Sequence, residues 1–247
     1  MWPLKMVEIE TYTACNRRCV YCPNSDHERP PHFMPDMLFD RIIDELATLG
    51  FCGRMSYHFY NEPLLDPRLA TFVRSSRQRL PSIRIVLYSN GDLMTRARFE
   101  ELVDAGIDVA WVTNHGSSIR HCDWRDQLSE PLRAKLRYQT NKNPDIFWTN
   151  RGGLLPLIAN VTEPLSEVCT APATTLVVNA FGHVVLCYED YEGREVLGDL
   201  NTQSITDVWM APKTVRIREA LMRGDRTCSV PCRSCNNIEM QTFDVID

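Results

Sequence analysis

The first 150 residues alternate between short segments with strand-like patterning and longer segments with apolar residues at helical spacing. Residues 6–13 predict a strand, and residues 36–49 predict a helix that Gly50 stops. Residues 95–105 predict another helix, with Thr95 as its N-cap and Gly106 at its end. Further strands are predicted at 54–60, 83–88, 108–113 and 145–149, a further helix at 67–80, and a weaker helix broken by Pro131 at 119–139.

Each strand–helix unit takes about 25–30 residues, which is typical of parallel strands joined by crossover helices. The fold class is therefore α/β, either a barrel or a doubly wound sheet. Both architectures place the functional site at the carboxyl ends of the strands. The polar segments that follow the predicted strands are residues 15–22, 61–63, 89–92, 114–116 and 150–153.

The alternation ends near residue 155, where a proline-punctuated loop begins. Residues 174–178 and 183–188 then predict a β-hairpin, and residues 204–210 and 212–223 predict two helices. We expect a first domain over residues 1–155 and a smaller one over residues 156–247.

Composition narrows the class of protein. The chain has 247 residues, of which 44% are hydrophobic and 24% charged, as in an ordinary globular protein. The net charge of −5 argues against a non-specific nucleic-acid binder. The sequence has no apolar run of membrane-spanning length and begins with no signal peptide, so we expect a cytoplasmic protein without a membrane partner.

The ten cysteines are the unusual feature of the composition. Disulfide-rich chains are usually small secreted domains, whereas this chain is long enough to build a core. In a reducing compartment, clustered cysteines are more often metal ligands or redox groups.

The first cysteine group is Cys15-x3-Cys19-x2-Cys22, directly after the first predicted strand. Three thiolates can hold three corners of a [4Fe–4S] cluster and leave the fourth iron open. A zinc site completed by His27 is the alternative. With Tyr21 before its last cysteine, the motif resembles the CxxxCxxC signature of the radical SAM (S-adenosyl-L-methionine) superfamily.

That resemblance implies a partial (β/α)6 barrel in which SAM binds the open iron and is cleaved to a 5′-deoxyadenosyl radical. The electron would come from a donor such as flavodoxin or ferredoxin. The superfamily's Gly-Gly-Glu-Pro stretch aligns with residues 60–63, where both glycines are replaced and Glu62 remains, although Glu62 could also be a solvated loop carboxylate. The expected cofactor contacts are Tyr21, Tyr60, Glu62, Asn90 and His115.

The second cysteine group comprises Cys169, Gly182-x4-Cys187 and Cys228-x3-Cys232-x2-Cys235. It resembles the SPASM/twitch subfamily, whose twitch form holds one auxiliary [4Fe–4S] cluster. The resemblance implies that Cys169, Cys187, Cys232 and Cys235 bind this cluster and that it transfers electrons. A zinc ribbon using the same four cysteines, and Cys228 in place of Cys232, remain open.

Seven segments carry a closer resemblance, to twitch radical SAM dehydrogenases of aminocyclitol antibiotic biosynthesis. They are residues 15–17, 21–25, 56–60, 90–92, 150–153, 189–190 and 235–237. The resemblance implies oxidation of a secondary alcohol of an aminocyclitol or aminoglycoside intermediate to a ketone. The adenosyl radical would take a hydrogen atom from the carbinol carbon, and the resulting ketyl radical would reduce the auxiliary cluster.

The same resemblance suggests which residues contact the substrate. Arg151 matches the substrate-contacting arginine; a guanidinium is a poor base, so we assign it hydrogen bonding and charge stabilisation. Glu189 could bind an amino group or accept a proton. Tyr60 and Tyr88 could contact substrate hydroxyls, with core packing as the alternative role.

Three other functions are kept open. A radical SAM epimerase would quench the substrate radical with a cysteine thiol, and among the spare Cys52, Cys122 and Cys228 the last is the best candidate. A peptide-modifying enzyme would need a leader-binding domain, for which a barrel starting by residue 6 leaves no N-terminal room. A zinc-binding interaction module is the non-enzymatic alternative.

Overall fold

A computed structural model describes residues 2–116, 122–140 and 148–238. The strands in these ranges are β1 (Met6–Ile9), β2 (Arg54–Ser56), β3 (Arg84–Ser89), β4 (Val109–Asn114), β5 (Leu136–Thr140), β6 (Thr175–Val178), β7 (His183–Val185) and β8 (Val196–Asp199). The helices are α1 (Asp36–Thr48), α2 (Leu69–Arg79), α3 (Arg96–Ala105), α4 (Glu130–Ala134), α5 (Ala171–Thr174), α6 (Ile205–Met210), α7 (Pro212–Met222) and α8 (Val230–Arg233). Short 3₁₀ helices span Pro23–Ser25, Pro63–Leu65, Asp123–Gln127 and Arg226–Cys228.

The strands form one open sheet in the order β5-β4-β3-β2-β1-β6-β7-β8. The six strands from β5 to β6 are parallel, and β7 and β8 continue the sheet in antiparallel orientation. The expected partial (β/α)6 barrel is therefore confirmed, with β6 as its sixth strand. Because β6 also begins the C-terminal hairpin, the sheet runs unbroken between the two expected domains, whose boundary stays a prediction.

The core lies between the sheet and helices α1 to α3. Helix α1 buries its apolar stripe, including Phe39 and Ile42, against a cluster that also holds Val7 and Ile9 of β1. Helix α3 begins as predicted, where the Thr95 hydroxyl accepts a hydrogen bond from the Arg98 backbone N–H at 3.1 Å. It ends at Gly106, whose φ of +121° is a backbone conformation that residues with a side chain rarely adopt.

The opposite face of the barrel strands is polar. Between Val7 and Ile9, Glu8 points away from the apolar core, as strand alternation requires. Its carboxylate lies 3.2 Å from Arg54 Nη2 and accepts a hydrogen bond from Ser56. Burial raises the pKa of Glu8 even though Arg54 opposes this shift. The barrel interior thus contains a buried ion pair.

One stretch of the barrel differs from the prediction. The helix expected over residues 119–139 is wrong, because the described part contains a 3₁₀ helix, the short helix α4 and strand β5. Strand β5 lies at the sheet edge and pairs with β4 through Ala110 and Leu136. Its outward side chains are polar, so its sequence lacks the apolar run that identifies buried strands. Of the strand predicted at 145–149, residues 145–147 lie outside the described residues, and Trp148 and Thr149 are not in a strand.

The C-terminal part follows the prediction more closely. The hairpin of β6 and β7 and the helices α6 and α7 are confirmed, whereas β8 was not predicted. Ser204 and Asp207 form a capping box that starts α6. Within the described residues, no helix has the length and apolar character needed to cross a membrane.

Candidate active site

A cavity of about 410 Å³ lies at the carboxyl ends of the parallel strands. It collects residues from distant parts of the sequence, as expected for this architecture. All three cysteines of the first group line it. The predicted site residues that also line it are Tyr21, Tyr60, Glu62, Tyr88, Asn90, His115 and Arg151.

The loop after β1 turns the first three cysteines toward this cavity. The Cys22 backbone N–H donates to the Cys19 carbonyl at 2.9 Å, which closes the turn before the 3₁₀ helix Pro23–Ser25. The Arg17 backbone N–H points at Cys15 Sγ at 3.5 Å. Burial raises the pKa of the Cys15 thiol to about 11. Backbone N–H donors directed at sulfur are the contacts that tune an iron–sulfur cluster.

His27 does not complete a zinc site with these cysteines. It does not line the cavity, and its Nδ1 lies 2.9 Å from Glu192 Oε1. In the part of the chain that the structure describes, no three His, Cys, Asp or Glu side chains form a group that could hold a single metal ion. The three thiols and their open cavity fit a cluster with one unligated corner.

Glu62 is buried at the end of the loop after β2, so a role as a solvated carboxylate is wrong. Its oxygens accept hydrogen bonds from the Asn90 backbone N–H at 2.7 Å and the Ser89 hydroxyl at 2.9 Å. Burial nevertheless raises the pKa of this carboxyl to about 7. A carboxylate held in place by these donors at the cavity suits recognition of an ammonium group.

Side chains also connect the cysteine loop to the loop after β3. Asn90 donates to the Asn16 side-chain oxygen at 2.8 Å. Arg17 and Asp92 form a two-bond ion pair with distances of 2.6 and 2.5 Å. These bonds fix the cavity rim on which Asn90 lies.

Aromatic side chains form one wall of the cavity. The Tyr21 ring lies 4.0 Å from the Trp148 ring, and the Tyr21 hydroxyl lies 2.6 Å from His115 Nδ1. The Tyr60 hydroxyl instead donates to the Tyr188 carbonyl at 2.6 Å. Tyr60 therefore presents its ring rather than its hydroxyl as a contact surface.

The floor of the cavity is polar, and of its residues Glu8, Arg54, His58 and Tyr88 only Tyr88 was predicted from the sequence. Tyr88, which was predicted, accepts a hydrogen bond from Arg54 at 3.1 Å, and Arg54 pairs with Glu8. His58 also lines the floor, and burial together with nearby Arg151 lowers its pKa to about 4, so its imidazole is neutral. The available signal was a charged residue inside an otherwise apolar strand, as at Glu8.

Arg151 and Glu189 meet at one side of the cavity. Arg151 Nη1 lies 3.5 Å from Glu189 Oε1, and its guanidinium lies 5.6 Å from the centre of the Tyr60 ring. Arg151 has a φ of +51°, an uncommon backbone conformation that often marks functional sites. Glu189 is buried, and its carboxylate accepts hydrogen bonds from Thr149 and Asn237, each at 2.9 Å.

Glu189 also borders a second, much smaller cavity of about 10 Å³. The cysteines that line it are the predicted auxiliary set, Cys169, Cys187, Cys232 and Cys235. The Asn237 N–H points at Cys235 Sγ at 3.4 Å, and the Ala171 N–H makes a comparable bond to Cys169. The spacing of residues i and i+2 repeats that of Cys15 and Arg17. Four thiols around one small space fit a fully ligated cluster.

The other three cysteines line neither cavity within the described residues. Cys52 is exposed, and Cys122 is buried in the main apolar core. Cys228 shares a hydrogen bond with Cys232, which lowers the pKa of Cys228. Since Cys232 and not Cys228 faces the small cavity, Cys232 is the better candidate ligand.

Comparisons with known proteins agree with this geometry. Residues 9–115 match the Radical SAM superfamily model, and residues 169–236 match the SPASM iron–sulfur cluster-binding domain. The chain is 35% identical over 244 residues to an S-adenosyl-L-methionine-dependent 2-deoxy-scyllo-inosamine dehydrogenase from Niallia circulans, covering 98% of this chain and 96% of that protein.

Two solved structures are similar to this chain in fold. A crystal structure of BtrN in complex with AdoMet and 2-DOIA matches with a TM-score of 0.90 and 35% identity, covering 97% of this chain and 95% of that one. A structure of anSMEcpe with bound AdoMet matches with a TM-score of 0.57 at 13% identity, covering 89% and 81% of the two chains, and supports the fold alone.

Proposed function

The chain belongs to the radical SAM superfamily and carries a C-terminal SPASM-type domain, and from that premise we propose that it is a dehydrogenase of aminocyclitol or aminoglycoside biosynthesis. The reaction is oxidation of a secondary alcohol to a ketone. The sequence resemblance to such dehydrogenases is confirmed by the full-length relative. The observation that carries the proposal is the Arg151–Glu189 pair, which joins the large cavity to the small one.

The residues present fit two clusters and SAM. Cys15, Cys19 and Cys22 would hold the first cluster, and Glu62 would bind the amino group of SAM beside it. The four cysteines of the small cavity would hold the second cluster. When bound, these groups supply a hydrogen-atom acceptor made from SAM and, separately, a one-electron acceptor.

The alcohol must lose a hydrogen atom from carbon, a proton from oxygen and one further electron. Arg151 donates hydrogen bonds to the reacting oxygen and stabilises its developing negative charge. Glu189, paired with Arg151, accepts the hydroxyl proton or holds a substrate ammonium group. Because Glu189 also borders the small cavity, a substrate bound to Glu189 would have its reacting carbon near the electron acceptor.

The polar side chains at the large cavity support a small polyhydroxylated substrate. Tyr88 and the neutral imidazole of His58 offer hydrogen bonds to hydroxyl groups, and Glu189 offers a negative charge to an amine. The proposed reductant is a small electron carrier such as flavodoxin or ferredoxin, and the exposure of Val20 in the cysteine loop supports this proposal. The ten cysteines, none of them in a disulfide, suit a reducing cytoplasm.

The epimerase alternative loses support. It needs a thiol on the face of the substrate opposite the adenosyl group, and none of the three spare cysteines lines the large cavity in the described part of the chain. The dehydrogenase needs no such donor.

The test is anaerobic incubation of the reconstituted protein with SAM, dithionite and a panel of aminocyclitols. We expect one substrate to lose two mass units as a ketone forms, with about eight irons per chain. Cys19→Ala should abolish the reaction and remove about half of the iron, whereas the exposed Cys52→Ala should change neither. Cleavage of SAM without any ketone, or an epimer carrying one solvent-derived hydrogen, would exclude the dehydrogenase.

A further inference from the structure

Arg226 is a buried guanidinium on the wall of the small cavity. Its residue surface is 2% exposed, and it lines that space with Cys169, Cys187, Cys232 and Cys235. Its Nε donates to the Glu167 carbonyl at 3.0 Å and its Nη2 to the Asn237 carbonyl at 3.4 Å. Among the described residues it forms no ion pair with a carboxylate.

Two other buried or largely buried arginines have an acidic partner, whereas Arg218 has none among the described residues and instead lies over the Trp209 ring, 3.6 Å from its centre. Arg54 pairs with Glu8 at 3.2 Å, and Arg29 pairs with Glu10 at 2.6 Å. Burying a cation without a counter-charge is costly, and in the described part of the chain Arg226 has neither a carboxylate nor an aromatic ring as partner, which points to a missing negative group. The cavity that Arg226 faces is the place where such a group would lie.

We propose that Arg226 is the counter-charge of the auxiliary cluster and raises its reduction potential. This inference rests on the proposed function, because it requires a cluster in the small cavity. A [4Fe–4S] cluster with four thiolate ligands is negatively charged and becomes more so on reduction. A buried cation nearby stabilises the reduced form more than the oxidised form, since little solvent screens it.

The positive charge of Arg226 suits an auxiliary cluster that accepts electrons. The carboxylate of Glu189 borders the same cavity on the side toward Arg151 and opposes reduction. Arg226 offsets that carboxylate, so the cluster can accept an electron from a substrate radical bound beside Glu189.

The experiment is an EPR-monitored redox titration of the reconstituted protein under argon. The auxiliary signal is the one that SAM does not perturb. In Arg226→Gln, we expect the reduced-to-oxidised ratio of this signal at a fixed potential to fall at least tenfold, equivalent to a midpoint lower by about 59 mV. Arg226→Lys keeps the charge and should stay within threefold of the unmodified protein.

Arg233→Gln is the matched control. Arg233 follows Cys232 directly but is exposed, so solvent screens its charge and its removal should leave the titration unchanged. An auxiliary midpoint in Arg226→Gln equal to that of the unmodified protein would overturn the proposal.

Iron loading decides the remaining outcomes. Loss of the auxiliary cluster in Arg226→Gln but not in Arg226→Lys supports the charge role, because both variants disturb the bonds to Glu167 and Asn237. Loss in both variants overturns it in favour of a structural clamp. If the unmodified protein itself binds only about four irons, the proposed function fails instead.

Discussion

The buried ion pair in the barrel floor makes a stability prediction that can be worked out from the structure. In Arg54→Met, the Glu8 carboxylate would keep only the hydrogen bond from Ser56. Breaking one partner of a buried ion pair typically costs about 3–5 kcal/mol, because the other charge stays desolvated. With a urea m-value of about 2–3 kcal/mol/M, the midpoint should fall by about 1–2.5 M at pH 8.

The pH dependence of that loss has a definite sign. Burial already raises the pKa of Glu8 in the folded protein, and losing Arg54 raises it further. A group with a raised folded pKa loses its stabilising contribution as pH rises, so the deficit of Arg54→Met should shrink as pH falls toward 5. Glu8→Gln with Arg54→Met should recover at least half of the loss, since no charge is then stranded.

The assay is urea unfolding followed by tryptophan fluorescence under argon, at matched iron content. Arg79→Met removes two exposed ion pairs, with Asp40 and Asp44, and should cost under about 1 kcal/mol. A cost below about 1 kcal/mol for Arg54→Met, or a double variant no more stable than the single one, would refute the argument.

Three further predictions concern the site. The affinity for SAM should weaken as pH falls through about 7, because Glu62 becomes protonated there. The Glu62→Gln variant should bind SAM about tenfold more weakly at pH 8, and its affinity should not change near pH 7. Calorimetry that finds the same pH dependence in this variant would contradict the prediction. Glu189→Gln should lower kcat for ketone formation about 10²- to 10⁴-fold while SAM still binds, and an unchanged rate would remove Glu189 from proton transfer. Gly153→Ala should destabilise the loop after Arg151, because Gly153 has a φ of +93° and a Cβ there would lie 2.6 Å from Ser234 Cβ. An unfolding midpoint equal to that of the parent protein would contradict this last prediction.

The sequence predicted the barrel because its alternation is strong where strands are buried on both faces. Helix α3 carried its own N-cap and terminating glycine, so both of its ends were predictable. Strand β5 was not, because it lies at the sheet edge and only Leu136 is buried. Among the described strands, β8 pairs with β7 alone, and its four half-buried residues include a glycine.

The site residues also fall into a group that could be predicted from the sequence and a group that could not. The cysteines were predictable because their spacing is a local property of the chain. Arg226 and His58 were not predictable, because their roles depend on residues that face them across a cavity and are distant in the sequence. Glu8 did carry a signal, a carboxylate inside an apolar strand, but its partner Arg54 lies 46 positions away.

Strand β6 is shared between the parallel barrel and the antiparallel hairpin that leads to Cys187. A truncation near residue 155 would therefore remove one of the two neighbours of β1 and leave the backbone N–H and C=O groups that face β6 unpaired at a new sheet edge. The C-terminal part is built into the barrel wall rather than attached to it. Exchanging this part between relatives to alter electron transfer would therefore also replace the strand that pairs with β1, so a hybrid chain must preserve the pairing register of β1 and β6.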